Sequence, residues 1–113
     1  MIEIPKTLVN TGFSFLTVSY FAKHELPPEN FDDYGPELES LRKFLEKENA
    51  AEKFLLALDF IEMNPDLPLK DFITLTYPFT NKELHNMAKS MRTYLYPFTD
   101  STAPEILKQI NLV

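Results

Sequence analysis

The apolar positions of this chain recur mainly at the spacing of α-helices. The pattern is clearest over residues 81–95, where six apolar side chains lie three or four residues apart, as on one helix face: Leu84, Met87, Ala88, Met91, Tyr94 and Leu95. The same spacing predicts a last helix with Ala103, Ile106, Leu107 and Ile110. With only two glycines, the chain suits helices better than strands joined by many tight turns.

Three other segments are each compatible with two structures. Residues 7–22 have helical spacing after Pro5, but their Thr, Val and Phe content also suits a strand. Residues 37–63 carry two apolar stripes and form either one long helix or two helices broken near Asn49. Residues 69–77 fit a short helix or an alternating strand. We predict an all-α fold, with residues 1–113 forming a single helical domain of five or six helices joined by Pro-containing corners.

The tetrapeptide Tyr-Pro-Phe-Thr occurs at residues 77–80 and again at residues 96–99. In the first copy, Thr80 is predicted to cap a helix in a reciprocal capping box with Glu83. In the second copy, Pro97 is predicted to end a helix, and the next helix is predicted to begin with Thr102 as the cap and Glu105 at its third position. We interpret the tetrapeptide as a corner between helices; the alternative is that both copies lie at one end of the bundle and present an aromatic patch to a partner.

The connection formed by residues 24–37 breaks every helical period and concentrates acidic residues. It contains two adjacent prolines, five acidic residues and no lysine or arginine. Aromatic rings among charges are typical of recognition surfaces, whose anchors are apolar and whose rims are polar. We therefore predict that this connection binds a protein partner; the alternative is that its rings belong to the core and its acids only solubilise it. The candidate binding residues are Glu29, Phe31, Asp32, Asp33, Tyr34 and Glu37.

The charge distribution narrows the choice of partner. The net charge of −6 is concentrated in residues 25–66, which carry twelve acidic and four basic residues, a net of −8. We therefore expect a partner with a basic rim and no nucleic-acid binding, which requires clustered Lys and Arg against phosphates. No cofactor is expected.

The longest uncharged stretch, residues 7–22, falls short of the roughly 20 mostly apolar residues of a membrane span. The chain has no cysteine, which fits a cytoplasmic protein.

The sequence lacks the motifs of common enzymes. His24 and His85 have no metal-ligand spacing around them, and the acidic connection lacks the pattern of a calcium loop. No serine stands in the context of an activated nucleophile, and no glycine-rich turn for phosphate is present. We therefore predict a non-enzymatic protein of the inhibitor, immunity or adaptor type, without a metal site. Self-association as a structural homo-oligomer is an alternative.

A further alternative comes from a resemblance in residues 36–63, PELESLRKFLEKENAAEKFLLALDFIEM, and in Ala103-Pro104-Glu105-Ile106. These stretches resemble the middle helices and a following loop of the regulators of G-protein signalling. The resemblance implies a helical domain that acts on a GTPase. The chain departs from that family at Lys53, where the family has a partner-contacting Asn, and at Ala57, where a Trp usually packs.

Overall fold

The chain folds into five α-helices and a short two-stranded sheet, which confirms the predicted all-α class. A computed structural model describes all 113 residues. Two 3₁₀ turns, Phe31–Tyr34 and Leu69–Asp71, interrupt the connections between helices. In chain order, the elements are β1 (Ile2–Ile4), α1 (Lys6–Phe21), α2 (Gly35–Lys47), α3 (Ala51–Met63), α4 (Asn81–Leu95), α5 (Pro104–Leu107) and β2 (Ile110–Leu112).

Helix α1 resolves the first ambiguity, because residues 6–21 are helical and not a strand. Its side chains at helical spacing, Val9, Phe13 and Leu16, are completely buried. Gly12 lies on the same face, where an added Cβ would clash with the ring of Phe54 on α3. The glycine therefore allows α1 and α3 to approach more closely than any larger residue would permit.

Residues 37–63 form two helices, α2 and α3, because the chain reverses at Asn49. This residue has a φ of 53°, in the left-handed region that Asn tolerates better than most residues. The N–H of Asn49 donates to the carbonyl of Glu46 at 3.2 Å, and the N–H of Ala50 donates to that of Leu45 at 2.9 Å. These two bonds form a Schellman motif, which satisfies the last carbonyls of α2 and ends it.

Residues 69–77 are neither the predicted helix nor the predicted strand. They contain only the 3₁₀ turn Leu69–Asp71, followed by irregular chain. Side chains of α4 satisfy the backbone there instead: Asn81 Oδ1 accepts from the Leu69 N–H at 2.8 Å, and Asn81 Nδ2 donates to the Leu67 carbonyl at 3.1 Å. His85 Nε2 also lies 2.8 Å from that carbonyl. Helix α4 therefore fixes the preceding loop.

The first Tyr-Pro-Phe-Thr copy starts α4 as predicted. The Glu83 N–H donates to Thr80 Oγ1 at 3.1 Å, and the Thr80 N–H donates to Glu83 Oε1 at 2.9 Å, so the capping box is complete. No helix precedes this copy, so it is not a corner between two helices. The second copy does end α4 at Leu95, before Pro97.

The prediction for the start and extent of the last helix was wrong. Helix α5 spans only residues 104–107, and its cap position is Ala103, because Thr102 uses its hydroxyl elsewhere. Glu105 accordingly stands at the second helical position. Ile110, predicted on this helix, instead opens β2, which pairs in parallel with β1 through the register Ile2↔Ile110. The sheet brings the two ends of the chain together.

One hydrophobic core holds these elements together. Twenty-two buried apolar residues form a single cluster, to which every helix contributes. In this core α1 packs on α2, and α3 packs on α4. None of the helices is long and apolar enough to cross a membrane.

Candidate functional site

The acidic connection is shaped by the 3₁₀ turn Phe31–Tyr34, which Asn30 caps. Asn30 Oδ1 accepts a hydrogen bond from the Asp32 N–H at 3.0 Å, and the Asn30 carbonyl accepts from the Asp33 N–H at 3.0 Å. Asn favours such turns because its short side chain can accept from the backbone two residues further on. The turn thus fixes the backbone of both aspartates and of Phe31.

The structure separates the six predicted binding residues by exposure. Glu29, Asp32 and Asp33 are exposed, whereas Phe31 and Glu37 are half-buried. Tyr34 is only 2% exposed and belongs to the core. The acids and one ring are therefore available at the surface, but the second predicted aromatic anchor is not.

Tyr34 is buried because its ring is surrounded by other rings. Its centroid lies 5.3 Å from that of Phe31 and 5.0 Å from that of Tyr20, both in edge-to-face geometry. Burial, together with the nearby ionisable groups of Tyr20 and Glu37, raises the pKa of the Tyr34 hydroxyl to about 12. Tyr34 thus remains neutral at physiological pH and supports the Phe31 ring from behind.

The rings of Phe31 and Tyr34 begin a larger aromatic cluster that joins three parts of the chain. Tyr20 stacks on His24 at 4.1 Å, and Phe21 stacks on Tyr77 at 5.1 Å. The members of the aromatic cluster are Tyr20, Phe21, His24, Phe31, Tyr34, Tyr77 and Phe79. Through this cluster, the 3₁₀ turn Phe31–Tyr34 packs against α1, which in turn packs against the first Tyr-Pro-Phe-Thr copy. Ring packing therefore holds the turn in position.

Two neighbouring cavities lie between the acidic connection and α4, and Phe31 and Ser90 line both of them. The first has a volume of about 240 Å³. The second, towards the end of α4, has a volume of about 540 Å³. We call them together the α4 groove. Its lining comprises Pro27, Pro28, Glu29, Phe31, Asp32, Tyr34, Phe79, Glu83, Asn86, Met87, Lys89, Ser90, Thr93, Tyr94 and Pro97.

The only charged side chains at one end of the α4 groove are acidic. Glu29 and Glu83 line the first cavity, where no basic residue is present. In the second cavity, Asp32 is balanced by Lys89. Outside the lining, Glu37 stands in the first turn of α2, and its Oε2 is buried without a hydrogen-bond partner. The groove is thus negative at one end and close to neutral at the other.

The sequence prediction missed the α4 wall of this groove. Asn86, Ser90 and Thr93 contribute the polar part of that wall, at spacings of four and three residues. This polar stripe runs beside the apolar stripe that predicted the helix, but it has the same appearance as any solvent-exposed helix face. Nothing local in the sequence indicates that the acidic connection lies next to it.

The two Tyr-Pro-Phe-Thr copies lie at opposite ends of α4 and do not form a common patch. The 15 residues of α4 separate them by about 22 Å, at 1.5 Å of helix rise per residue. Phe79 in the first copy is 5% exposed, whereas Phe98 in the second is 99% exposed. An aromatic surface formed by both copies is therefore excluded.

Arg92 holds the second copy in place. Its guanidinium donates to the carbonyls of Tyr96, Thr99 and Asp100 at 2.8 to 3.1 Å and to Asp59 Oδ1 at 2.7 Å. The other Asp59 oxygen accepts from the N–H and the hydroxyl of Thr102. Burial alone would raise the pKa of Asp59, but the bonds from Arg92 and Thr102 outweigh it and hold that pKa below its ordinary value. Phe98 is thus exposed on a turn anchored at both ends.

Neither histidine lines the α4 groove. His24 is stacked on Tyr20, and His85 faces the Leu67 carbonyl. No group of three or more His, Asp or Glu side chains is arranged to hold a metal ion. The charged and polar side chains that line the groove are three carboxylates, one lysine, one amide and hydroxyl groups.

Comparison with protein-family models, with curated proteins and with solved structures found no match. The resemblance to regulators of G-protein signalling therefore stays a prediction.

Proposed function

We propose that this chain is a non-enzymatic interaction protein that binds a protein partner with a basic rim through the acidic surface around Phe31. The observation that carries the proposal is the α4 groove, an open depression lined by a half-buried aromatic ring and flanked by exposed carboxylates. Recognition surfaces combine an apolar anchor with a polar rim in this way.

The exposed carboxylates that flank the groove support a partner with a basic rim. Residues 25–37 carry five acidic side chains and no lysine or arginine. A carboxylate-rich rim accelerates encounter with a positively charged surface, and this attraction weakens as salt screens it. The acids therefore raise the association rate and the affinity at low salt, and contacts with the groove lining add to them.

The support behind Phe31 favours its role as the anchor. Its ring packs edge-to-face on Tyr34, which is itself buried in the aromatic cluster. Such a ring loses little conformational freedom when a partner covers it, because it is already held in position. Aromatic residues that are pre-ordered in this way are typical binding hot spots.

The proposal predicts that removing two rim charges abolishes partner capture at unchanged stability. The variant Asp32→Asn with Asp33→Asn keeps the size of both exposed side chains and removes two negative charges. Purified wild-type and variant chains serve as bait in lysate of the native host, at low and at high salt, and captured proteins are identified by mass spectrometry. We expect a stoichiometric partner that wild type captures at low salt and loses at high salt, and that the variant does not capture.

A matched control separates a local effect from net charge. Glu46→Gln with Glu48→Gln also removes two exposed negative charges, but at the end of α2 and outside the α4 groove. This control is expected to capture the partner as wild type does. Equal loss of partner capture in both variants would show that capture depends only on net charge. Unchanged capture by the Asp32/Asp33 variant would refute the proposed surface.

A further inference from the structure

The α4 groove follows the helix for most of its length. Its lining runs from Glu83, near the start of α4, to Pro97, just beyond its end. The twelve helical steps from Glu83 to Leu95 correspond to about 18 Å at 1.5 Å per residue, and Pro97 lies two residues beyond. An extended peptide advances about 3.3 to 3.4 Å per residue, so about six residues span this distance.

Hydrogen-bonding groups on α4 match the repeat of an extended chain. The side chains of Asn86 and Ser90 line the groove, and the burial pattern leaves Asn86 exposed and Ser90 half-buried. They are four residues apart, which corresponds to about 6 Å along the helix. Alternate residues of an extended peptide are about 6.7 Å apart, so its backbone groups can meet both side chains in turn.

The charge distribution along the groove predicts which peptide side chain binds at each end. Glu29 and Glu83 form the negative end, and the Glu83 carboxylate is held there by its bond from the Thr80 N–H. In the second cavity, Tyr94, Pro97 and the shared ring of Phe31 supply apolar surface beside Asp32 and Lys89, whose charges balance. A cationic side chain fits the first end, and an aliphatic side chain fits the second.

We propose that the α4 groove binds an extended peptide segment of about six residues, with an Arg or Lys side chain between Glu29 and Glu83 and an aliphatic side chain beside Phe31, Tyr94 and Pro97. This inference rests on the proposed function and specifies the partner as a basic, partly apolar extended segment. Its backbone is hydrogen-bonded by Asn86 and Ser90.

The test is an NMR titration of the ¹⁵N-labelled chain with four capped synthetic hexapeptides. Two carry Arg at one end and Leu four residues away, in the two possible orders, and are otherwise alanine. The other two carry Glu in place of Arg. We expect at least one Arg peptide, at millimolar concentration, to shift signals of residues 29–34 and 83–97, including the side-chain amide of Asn86. The Glu peptides are expected to shift none of them.

A blocking variant tests the location. Ser90→Arg places a long cation where the two cavities meet and is expected to weaken peptide binding at least tenfold. The matched control is Ser19→Arg, a substitution at an exposed serine of α1 outside the groove. The inference is overturned if no Arg peptide produces shifts, if the Glu peptides produce the same shifts, or if Ser90→Arg binds as wild type does.

The same variant distinguishes this inference from the proposed function. If Ser90→Arg still captures the native partner while Asp32→Asn with Asp33→Asn does not, the proposal that the groove binds a peptide is refuted. The proposal that the acidic surface binds the partner is then retained. If both variants capture the partner as wild type does, both proposals fail. If the protein instead forms dimers that Ser90→Arg dissociates, the occupant is a second copy of this chain and the peptide inference is overturned.

Discussion

At the scale of single residues, identical local sequence has opposite structural roles in this protein. Phe79 and Phe98 occupy the same position in the two Tyr-Pro-Phe-Thr copies, yet Phe79 is buried in the aromatic cluster and Phe98 is solvent-exposed. The difference arises from what surrounds each copy. The rings of Phe21 and Tyr77 cover Phe79, whereas Arg92 holds the second copy by its backbone carbonyls and leaves its phenylalanine free.

This contrast predicts opposite effects of the same substitution. Phe79→Ala is expected to lower the free energy of unfolding by about 3 kcal/mol or more, because it removes a buried ring from a packed cluster. Phe98→Ala is expected to change it by less than about 0.5 kcal/mol, as is usual for exposed positions. Urea unfolding followed by circular dichroism measures both. Equal losses in the two variants would mean that Phe98 is buried in solution.

At the scale of elements, signals that lie close together in the sequence were predictive and long-range pairings were not. The capping box of α4 was predicted because Thr80 and Glu83 are three residues apart and act on each other. The break at Asn49 stayed open, since it depends on one residue adopting a left-handed conformation. The strands β1 and β2 were not predicted, because three residues are too few for a pattern and their partners lie at opposite ends of the chain.

The Asp59 network, which joins α3, α4 and the chain before α5, predicts acid sensitivity. Because the folded-state pKa of Asp59 is below the ordinary 3.8, its stabilising contribution is complete above that value. The contribution is lost as pH falls from 3.8 towards the lower folded-state pKa. Asp59→Asn removes this titration while keeping the side-chain size, and it leaves Arg92 without its buried carboxylate partner. We expect it to cost about 3 kcal/mol near neutral pH.

Urea unfolding of wild type and Asp59→Asn at several pH values checks this. The stability difference between the two proteins should be constant between about pH 5 and pH 7 and should shrink below pH 3.8. Glu62→Gln, a substitution at an exposed position of the same helix, serves as the control. Its free energy of unfolding should differ less from that of wild type, at each pH, than that of Asp59→Asn does. A difference that stays constant down to pH 2 would contradict the depressed pKa of Asp59.

At the scale of the whole molecule, the sequence indicated half of the candidate site. The acidic connection was visible because its prolines, acids and aromatics interrupt the helical periods. Which of its two rings is buried depends on Tyr20 of α1, and the opposite wall of the groove comes from α4, more than fifty residues further along the chain. Such proximity is set by tertiary packing, so the groove itself was not predictable from local pattern.

The affinity of Phe31→Ala for the partner captured by wild type, measured by isothermal titration calorimetry alongside the melting temperature, tests most directly whether the surface around Phe31 binds that partner. Truncating a half-buried ring should cost about 1 kcal/mol of stability, whereas loss of a binding anchor of about 2 kcal/mol should weaken the partner affinity about 30-fold. Val18→Ala, a truncation at an exposed position of α1, should leave the affinity unchanged. A folded Phe31→Ala protein that binds the partner as tightly as wild type would show that the surface around Phe31 is not the functional surface.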